Sequence, residues 1–152
     1  MITDEQTNKV YFSEYLRGYK CWVSIKEALL EHEINFEMLP NTKDIWVRDF
    51  MPIQKDVNSF IEYEYNPDYL KGEQQYITHD VQNCFELTHN NLMIMDVIVD
   101  GGNVIKCDDK VIMTDKVFVE NKEKDREFLQ TVLEESFGCE VVFIPWDRAE
   151  KC

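Results

Sequence analysis

The sequence predicts an α/β protein in which helices and buried strands alternate along the chain. Apolar positions switch between helical spacing and short strand-like runs, and this alternation recurs at intervals of roughly 50 residues. The composition is 44% hydrophobic and includes nine Phe, seven Tyr and three Trp. That is enough apolar material for a core in a chain of 152 residues. We therefore expect a single domain over residues 1–152.

The amino-terminal half is predicted to contain one helix among several strands. The segment KVYFSEYL is typical of a first strand, and Trp22, Ile25 and Leu29 then recur at helical spacing in CWVSIKEALLEHE. Strands are predicted for INFEML, DIWVRDFMPIQ and SFIEYEY, the last two joined by a turn at KDVN. Residues 66–80 are polar and contain a proline and a glycine, so we expect a surface loop there.

The carboxy-terminal half continues the alternation. A short helix is predicted for DVQNCFEL, a buried strand for NLMIMDVIV, and a hairpin for NVIKCDDKVIMT with its turn at Asp108 and Asp109. KVFVE is expected to extend the sheet. A helix with its N-cap at Asn121 and its end at Gly138 precedes a last strand, CEVVFIP. The apolar stripe of that helix is Phe128, Leu129, Val132, Leu133 and Phe137.

Two units of the chain resemble each other. The helix and strand that end at Pro40 have a counterpart that ends at Pro145, and a middle unit ends at IMDVIVD. Such a pattern indicates repeated units that cannot bury their apolar faces alone. Chance similarity between two ordinary helix-then-strand units explains it about equally well. The same offset places the counterpart of Asp49 beyond Cys152.

Charge and cysteine spacing argue against several classes of function. Thirty acidic and sixteen basic residues give a formal charge of −14, which repels nucleic-acid backbones and anionic membranes. A cationic ligand is compatible with this charge, although an acidic surface more often serves solubility. The five cysteines lack a C-x-x-C pair, so neither disulfides nor a zinc site are indicated. Without a signal-peptide pattern or a membrane-length apolar run, we expect a cytoplasmic protein.

The segment DIWVRDFMPI places two opposite charges side by side in an apolar run. In a strand, Arg48 and Asp49 would point to opposite faces, so each would need its own partner. A buried carboxylate that has lost its partner costs about 3 to 5 kcal/mol, so we expect a cation beside Asp49. That cation is either a basic side chain of the protein or a ligand.

A second polar segment, VDGGN, follows the apolar run of the middle unit. Between two apolar runs, DGGN is typical of a hairpin turn. Because a turn is already predicted at Asp108 and Asp109, we interpret Gly101 and Gly102 instead as sites where the backbone approaches a ligand closely.

The combination of DIWVRDFMPI with VDGGNVIKCDDKVIMTDKVFVEN resembles the agmatine deiminase and bacterial peptidylarginine deiminase family of guanidine-modifying enzymes. The likeness runs from about Val10 to Trp146. It implies a partial, pentein-like α/β propeller with about two and a half of five ββαβ-type blades. Asp100 stands where the family usually has glutamate, and the missing methylene shortens its reach. The residues placed on the family's substrate-binding motifs are Trp46, Arg48, Asp49, Asp100, Gly101, Gly102 and Asn103.

The resemblance implies hydrolysis of a guanidine to a urea and ammonia, with agmatine, free arginine or a peptidyl arginine as substrate. A guanidinium is planar and carries five donors, so two carboxylates, Asp49 and Asp100, are expected to grip it. The family's nucleophilic cysteine and His-x-Asp motif are expected beyond residue 152, since His32, His79 and His89 do not fit that motif. The chemistry requires no metal or organic cofactor. We therefore expect an inactive amino-terminal portion of such an enzyme.

Two alternatives accompany this interpretation. The alternative function is that of a noncatalytic guanidinium-binding or assembly module that another chain completes. An incomplete propeller exposes strand edges and apolar faces, which favour a homo-oligomer or a completing chain. Trp46 either covers the aliphatic part of a substrate or belongs to the core.

Overall fold

The computed structural model describes residues 2–85 and 92–147, which form three small sheets with helices between their strands. The helices are α1 (Trp22–Glu31), α2 (Val47–Phe50), α3 (Lys116–Glu120) and α4 (Arg126–Phe137). Short 3-10 turns occupy several of the connections. The strands are β1 (Val10–Ser13), β2 (Phe36–Leu39), β3 (Ile53–Gln54), β4 (Phe60–Glu64), β5 (Leu92–Ile98), β6 (Ile105–Cys107), β7 (Lys110–Thr114) and β8 (Glu140–Ile144).

Each sheet contains one pair of parallel strands. β1 pairs with β2, β4 with β5, and β7 with β8, so a crossover connection joins the two strands of every pair. β3 and β6 are added antiparallel to β4 and β7. The second and third sheets consequently share one strand order, β3-β4-β5 and β6-β7-β8. The hairpin predicted around Asp108 and Asp109 is confirmed, and Asp108 has a positive φ of 46°.

The predicted repeat has a structural counterpart in two of the three units. α1 is part of the crossover before β2, and α4 is part of the crossover before β8. In the middle unit, the described part of the crossover contains only 3-10 turns, at Asp68–Leu70, Gln74–Tyr76 and Val81–Asn83. The helix predicted for DVQNCFEL is therefore reduced to the last of these turns, and its final two residues lie outside the described residues.

One apolar core connects the sheets. Leu39 of β2, Ile61 of β4 and Val111 of β7 are completely buried, as are Leu129 and Leu133 of α4. All five belong to one contiguous cluster. Burial in this shared core thus explains α4 and the strands that carry these residues, whereas Leu29, the buried residue of α1, lies outside the cluster. Within the described ranges, no helix combines the length and apolar character needed to cross a membrane.

KVFVE forms helix α3, so the prediction that it extends the sheet is wrong. In this conformation Val117 is buried, whereas Val119 is 47% exposed. Residues four apart share a helix face, and Asn121, directly after the helix, is completely buried near Val117. The helix is therefore the conformation that brings both residues into the core.

Asn121 does not cap α4. Its Oδ1 accepts a hydrogen bond from the Ile98 N–H at 2.9 Å, and its Nδ2 donates to the carbonyls of Ile98 and Val117, both at 2.8 Å. Asp125 is the N-cap, with its carboxylate accepting from two backbone N–H groups of the first turn. Gly138 ends the helix in the left-handed region at φ 71°, as predicted. Phe128, predicted in the apolar stripe, is 59% exposed.

Replacing Asn121 with alanine should destabilise the fold. The change leaves the N–H and C=O of Ile98 without their side-chain partner, and each buried group without a partner costs about 1 to 3 kcal/mol. We expect urea denaturation to show a loss of roughly 2 to 4 kcal/mol in the free energy of unfolding. The matched control is Asn58→Ala, at an exposed position, which should change stability by less than about 0.5 kcal/mol. Equal stability of the two variants would rule out a structural role for the Asn121 bridge.

Candidate active site

The centre of DIWVRDFMPI is a helix, so its assignment as a strand throughout is wrong. Val47 and Phe50, three residues apart, bury one face of α2, while Arg48 is exposed and Asp49 is partly buried. Pro52 ends the helix because the preceding residue is forced into an extended conformation, and Met51 has φ −71° and ψ 142°. Arg48 and Asp49 are therefore about 100° apart around a helix, not on opposite faces of a strand.

Arg48 has a backbone partner. Its Nη2 donates to the carbonyl oxygen of Val104 at 2.6 Å, which ties α2 to the segment after VDGGN. None of the ion pairs within 4 Å between described residues includes Asp49 or Asp100. In the part of the chain that the structure describes, the cation expected beside Asp49 is thus not a side chain of the protein.

VDGGN connects two different sheets and is not a hairpin turn. Asp100 follows β5 of the second sheet, and β6 belongs to the third. A 3-10 turn spans Gly101–Asn103, and Asp100 is its N-cap, with Oδ1 accepting from the Gly102 N–H at 3.0 Å. Tyr69 donates its phenolic hydrogen to the other oxygen of Asp100, at 3.4 Å.

The two glycines let this turn pack directly against α2. A Cβ atom on Gly101 would lie 2.2 Å from the carbonyl oxygen of Arg48 and 2.3 Å from the hydroxyl of Tyr63. A Cβ atom on Gly102 would lie 2.6 Å from Oδ1 of Asp49 and 3.1 Å from Oδ1 of Asp100. The carboxylates of Asp49 and Asp100 therefore converge on the same point above Gly102. The close approach predicted at these glycines is an approach to α2.

The surroundings of Asp49 change its protonation. Burial raises the pKa of Asp49 to about 7, and the charge of Asp100 together with a hydrogen bond between the two carboxyl groups contributes to the increase. The Gly102 N–H and the positive charge of Arg48 oppose it. The pair thus holds a proton up to near-neutral pH, in the manner of two carboxylates that share a site.

Tyr63 secures the backbone of α2. Its ring is buried, and its hydroxyl donates within 2.8 Å of the carbonyl oxygen of Asp49 and 3.0 Å of that of Met51. Tyr63 and Tyr65 were not among the predicted site residues. The sequence did contain a signal for both, because these two tyrosines are two residues apart and such residues in a strand point to the same face.

Asn103 and Trp46 are the remaining predicted site residues. Asn103 uses its side-chain amide on the backbone of Thr114, accepting from the N–H at 2.8 Å and donating to the carbonyl at 3.4 Å. It anchors the turn to the end of β7. Trp46 is 61% exposed at the start of α2 and is not part of the core.

An open cavity of about 340 Å³ adjoins the opposite side of the same two segments. Arg48, Gly101 and Val104 contribute to its wall together with residues of β1 and β3, but neither Asp49 nor Asp100 lines it. The cavity therefore does not contain the carboxylate pair, and the site that the motifs predict is the surface above Gly102.

The site as described contains no nucleophile and base pair. Among described residues, no hydrogen bond joins a cysteine to a histidine, and Cys84 donates to a backbone carbonyl at 3.8 Å. His89 and Cys152 lie outside the described residues. In the same ranges, no group of three or more His, Cys, Asp or Glu has the arrangement of a metal site. Of the groups that the resemblance implies, the described site therefore contains the two carboxylates.

Comparison with known proteins identifies the fold. No protein-family model and no curated protein sequence matches the chain. Solved structures do: agmatine deiminase of C. jejuni with substrate bound superimposes with a TM-score of 0.60 and 16% identity, covering 91% of this chain and 53% of that chain. DDAH from Pseudomonas aeruginosa, complexed with citrulline, gives a TM-score of 0.57 and 12% identity, covering 93% of this chain and 62% of that chain.

These matches show the fold. It is the fold of the agmatine deiminase and DDAH structures, so the expected resemblance is confirmed at the level of the fold. The chain spans about half the length of the agmatine deiminase that it matches.

Asp100→Asn should lower the pKa of Asp49. The substitution removes the neighbouring negative charge, while burial, the largest cause of the increase, remains. We expect carboxyl ¹³C NMR to show a titration of Asp49 near pH 7 in the original protein and at a lower pH, still above the ordinary value, in the variant. Asp109→Asn, in the exposed turn between β6 and β7, is the control and should leave the midpoint unchanged. A midpoint for Asp49 near its ordinary value of 3.8 in the original protein would contradict the pairing.

The same proton makes stability depend on pH. Since the folded state holds it up to about pH 7 and the unfolded chain releases it near 3.8, Asp49 destabilises the fold as the pH rises between those values. Asp49→Asn, which cannot titrate, should therefore gain stability relative to the original protein over that interval. Denaturation curves at several pH values measure the difference, and a constant difference would contradict the assignment.

Proposed function

We propose that this chain binds the guanidinium group of its substrate within a guanidine hydrolase of the deiminase type. The observation that carries the proposal is the convergence of Asp49 and Asp100 above Gly102, with no side-chain cation within 4 Å among the described residues. Trp46, exposed at the start of α2, is proposed to cover the aliphatic part of the substrate. Arg48 and Asn103 hold the two segments in place through backbone hydrogen bonds.

A guanidinium ion suits this pair better than a simple cation. It is planar and presents its N–H donors in fixed directions, so two carboxylates can each accept hydrogen bonds and also orient the ion. In the absence of a cation, the pair keeps a proton, because burial and, second to it, the charge of Asp100 raise the pKa of Asp49. Binding of the guanidinium replaces that proton with a charge that both carboxylates contact.

The proposed reaction converts the guanidine to a urea. A cysteine thiolate attacks the guanidinium carbon, ammonia leaves with a proton delivered by a histidine, and water then displaces the thiol to give the ureido product. The described residues supply the carboxylates, and we propose that the thiolate and histidine come from a further segment or another chain. Agmatine and peptidyl arginine are the proposed substrates. This chemistry requires no metal or organic cofactor.

A second candidate is a noncatalytic binding or assembly module that is completed by another chain, either a different protein or a second copy of this one in a homo-oligomer. The exposed apolar side chains favour it: Ile94 of β5 is 76% exposed and Val57 is 74% exposed. β5 and β8 are also edge strands within the described sheets. The two candidates share the guanidinium site and differ in whether the assembled protein releases ammonia.

Calorimetric titration with agmatine tests the binding. Asp49→Asn and Asp100→Asn should each weaken binding at least about tenfold, because each removes a charge-assisted acceptor. Asp109→Asn is the matched control and should bind as the original chain does. A neutral urea analogue of agmatine should not bind. Unchanged affinity in both site variants would contradict the guanidinium proposal. Release of ammonia from agmatine by this chain alone would contradict the proposal that the thiolate and histidine come from a further segment or another chain.

Binding should also depend on pH. Below about pH 7, the proton on the pair must leave before the guanidinium binds, so the affinity should rise up to about tenfold per pH unit and level off above that value. Titrations in two buffers of different ionisation enthalpy should show release of about one proton per agmatine at acidic pH. A pH-independent affinity would show that the pair is not the binding site.

A further inference from the structure

Tyr69, from the connection that follows β4, contacts the carboxylate pair although no motif includes it. Its hydroxyl lies 3.4 Å from Oδ2 of Asp100 and 3.2 Å from the hydroxyl of Tyr65. We propose that Tyr69 is a positioning residue for Asp100 and that Lys116 holds Tyr69 in place. The inference rests on the proposed guanidinium-binding function and adds two residues to it.

The direction of the hydrogen bonds follows from protonation. Burial raises the pKa of Tyr65 to about 12, and burial also raises the pKa of Tyr69, so both phenols keep their protons at neutral pH. An ionised carboxylate can only accept. Tyr69 therefore donates to Asp100 and accepts from Tyr65. The result is a directed chain of hydrogen bonds, from Tyr65 to Tyr69 and from Tyr69 to Asp100, which ends at the carboxylate.

Lys116 of α3 fastens the turn that carries Tyr69. Its ammonium nitrogen lies 4.8 Å from the ring centroid of Tyr69, 3.4 Å from Oδ1 of Asp68 and 5.8 Å from the ring of Trp146. Asp68 and Tyr69 are adjacent in one 3-10 turn, so the lysine contacts that turn through two side chains. A cation over an aromatic face is attracted to the ring, more strongly where water is excluded, and the Lys116 side chain is only 13% exposed.

Lys116 is itself held by a buried acid. Oε1 of Glu120 lies 3.2 Å from its ammonium nitrogen, and the Glu120 side chain is only 2% exposed. Apart from Lys116, the described residues offer the Glu120 carboxylate no hydrogen-bond donor. Removing one partner of a buried ion pair costs several kcal/mol, on the order of 3 to 5. The pair therefore fixes the lysine in the position from which it contacts Tyr69.

The arrangement orients both oxygens of Asp100. Oδ1 accepts from the Gly102 N–H and Oδ2 accepts from Tyr69, so the plane of the carboxylate is set before any ligand arrives. A flat guanidinium requires such a plane for paired hydrogen bonds. The other charged or titratable groups that face the pair are Arg48 of α2, Tyr63 and Tyr65 at the end of β4, and Glu120 of α3.

Tyr69→Phe tests the positioning role, because it keeps the ring against Lys116 and removes the donor to Asp100. In the ligand-free protein, the titration midpoint of Asp49 should rise by about 0.5 to 1 pH unit, since the Asp100 charge that opposes ionisation of Asp49 loses the hydrogen bond that partly neutralises it. Agmatine should bind about three- to tenfold more weakly at neutral pH. The matched control is Tyr76→Phe, in the same connection, whose hydroxyl has no hydrogen-bond partner among the described residues. A Tyr69→Phe midpoint equal to that of the control would overturn the proposal.

A double variant, Lys116→Met with Glu120→Gln, tests the role of the lysine without leaving a buried charge unpaired. The double variant should raise the titration midpoint of Asp49, as Tyr69→Phe does. Adding Tyr69→Phe to it should cause little further change, because both changes act through one hydrogen bond. Fully additive shifts would show that Lys116 does not act through Tyr69.

The two measurements separate this proposal from the proposed function. If agmatine fails to bind the original protein while Tyr69→Phe still raises the carboxyl midpoint, the guanidinium function is wrong and the positioning role is supported. If agmatine binds and Tyr69→Phe changes neither the affinity nor the midpoint, the positioning role alone is wrong.

Discussion

The close packing of Gly101 against α2 is the contact on which the candidate site depends. A side chain at this position would overlap the carbonyl oxygen of Arg48, at 2.2 Å, and the hydroxyl of Tyr63, at 2.3 Å. Its absence allows the link between the second and third sheets to lie directly on the helix that precedes the second. Two further hydrogen bonds, Arg48 to Val104 and Tyr63 to the Asp49 carbonyl, secure the same contact. Asp49 and Asp100 lie close together because the backbone segments that carry them are in direct contact.

This placement of two acids is unfavourable unless a positive charge balances it. Burial and mutual repulsion both favour the neutral form of Asp49, and only the Gly102 N–H and the charge of Arg48 act against them. An ion pair between Asp49 and Arg48 would have balanced the negative charge permanently, but Arg48 directs its guanidinium to a backbone carbonyl. The pair therefore exchanges its proton near neutral pH, and under the proposed function a guanidinium takes the place of that proton.

The sequence predicted those elements whose apolar spacing extends over enough residues to distinguish a helix from a strand. α1, α4 and strands such as β4, β5 and β8 belong to this group. VRDF and KVFVE have four and five residues, too few for either period to be recognised. Their helical conformation is decided by tertiary contacts: Val47 and Phe50 share the buried face of α2, and Asn121 after α3 bonds to the backbone of β5.

The residues of the candidate site also divide into those that a short sequence pattern identifies and those that it does not. Asp49 and Asp100 were identifiable because each lies in a short motif whose meaning is local. Tyr69 was not, because its contact with Asp100 depends on the path of the connection after β4 and on a lysine 47 positions further along the chain. No spacing rule relates these residues, and only the folded chain brings them together.

The described contacts also separate binding from chemistry. The carboxylates, the glycines beneath them and the donors that orient them all lie between residues 46 and 120, in segments packed on the second and third sheets. Among the described residues, their geometry is held by hydrogen bonds and by the ion pairs of Lys116 with Asp68 and Glu120, and no thiol or imidazole contributes. A site built in this way can be oriented for a guanidinium before the attacking group is present. Under the proposed function, the catalytic residues then need only to be brought to a fixed point, whether by the same chain or by another.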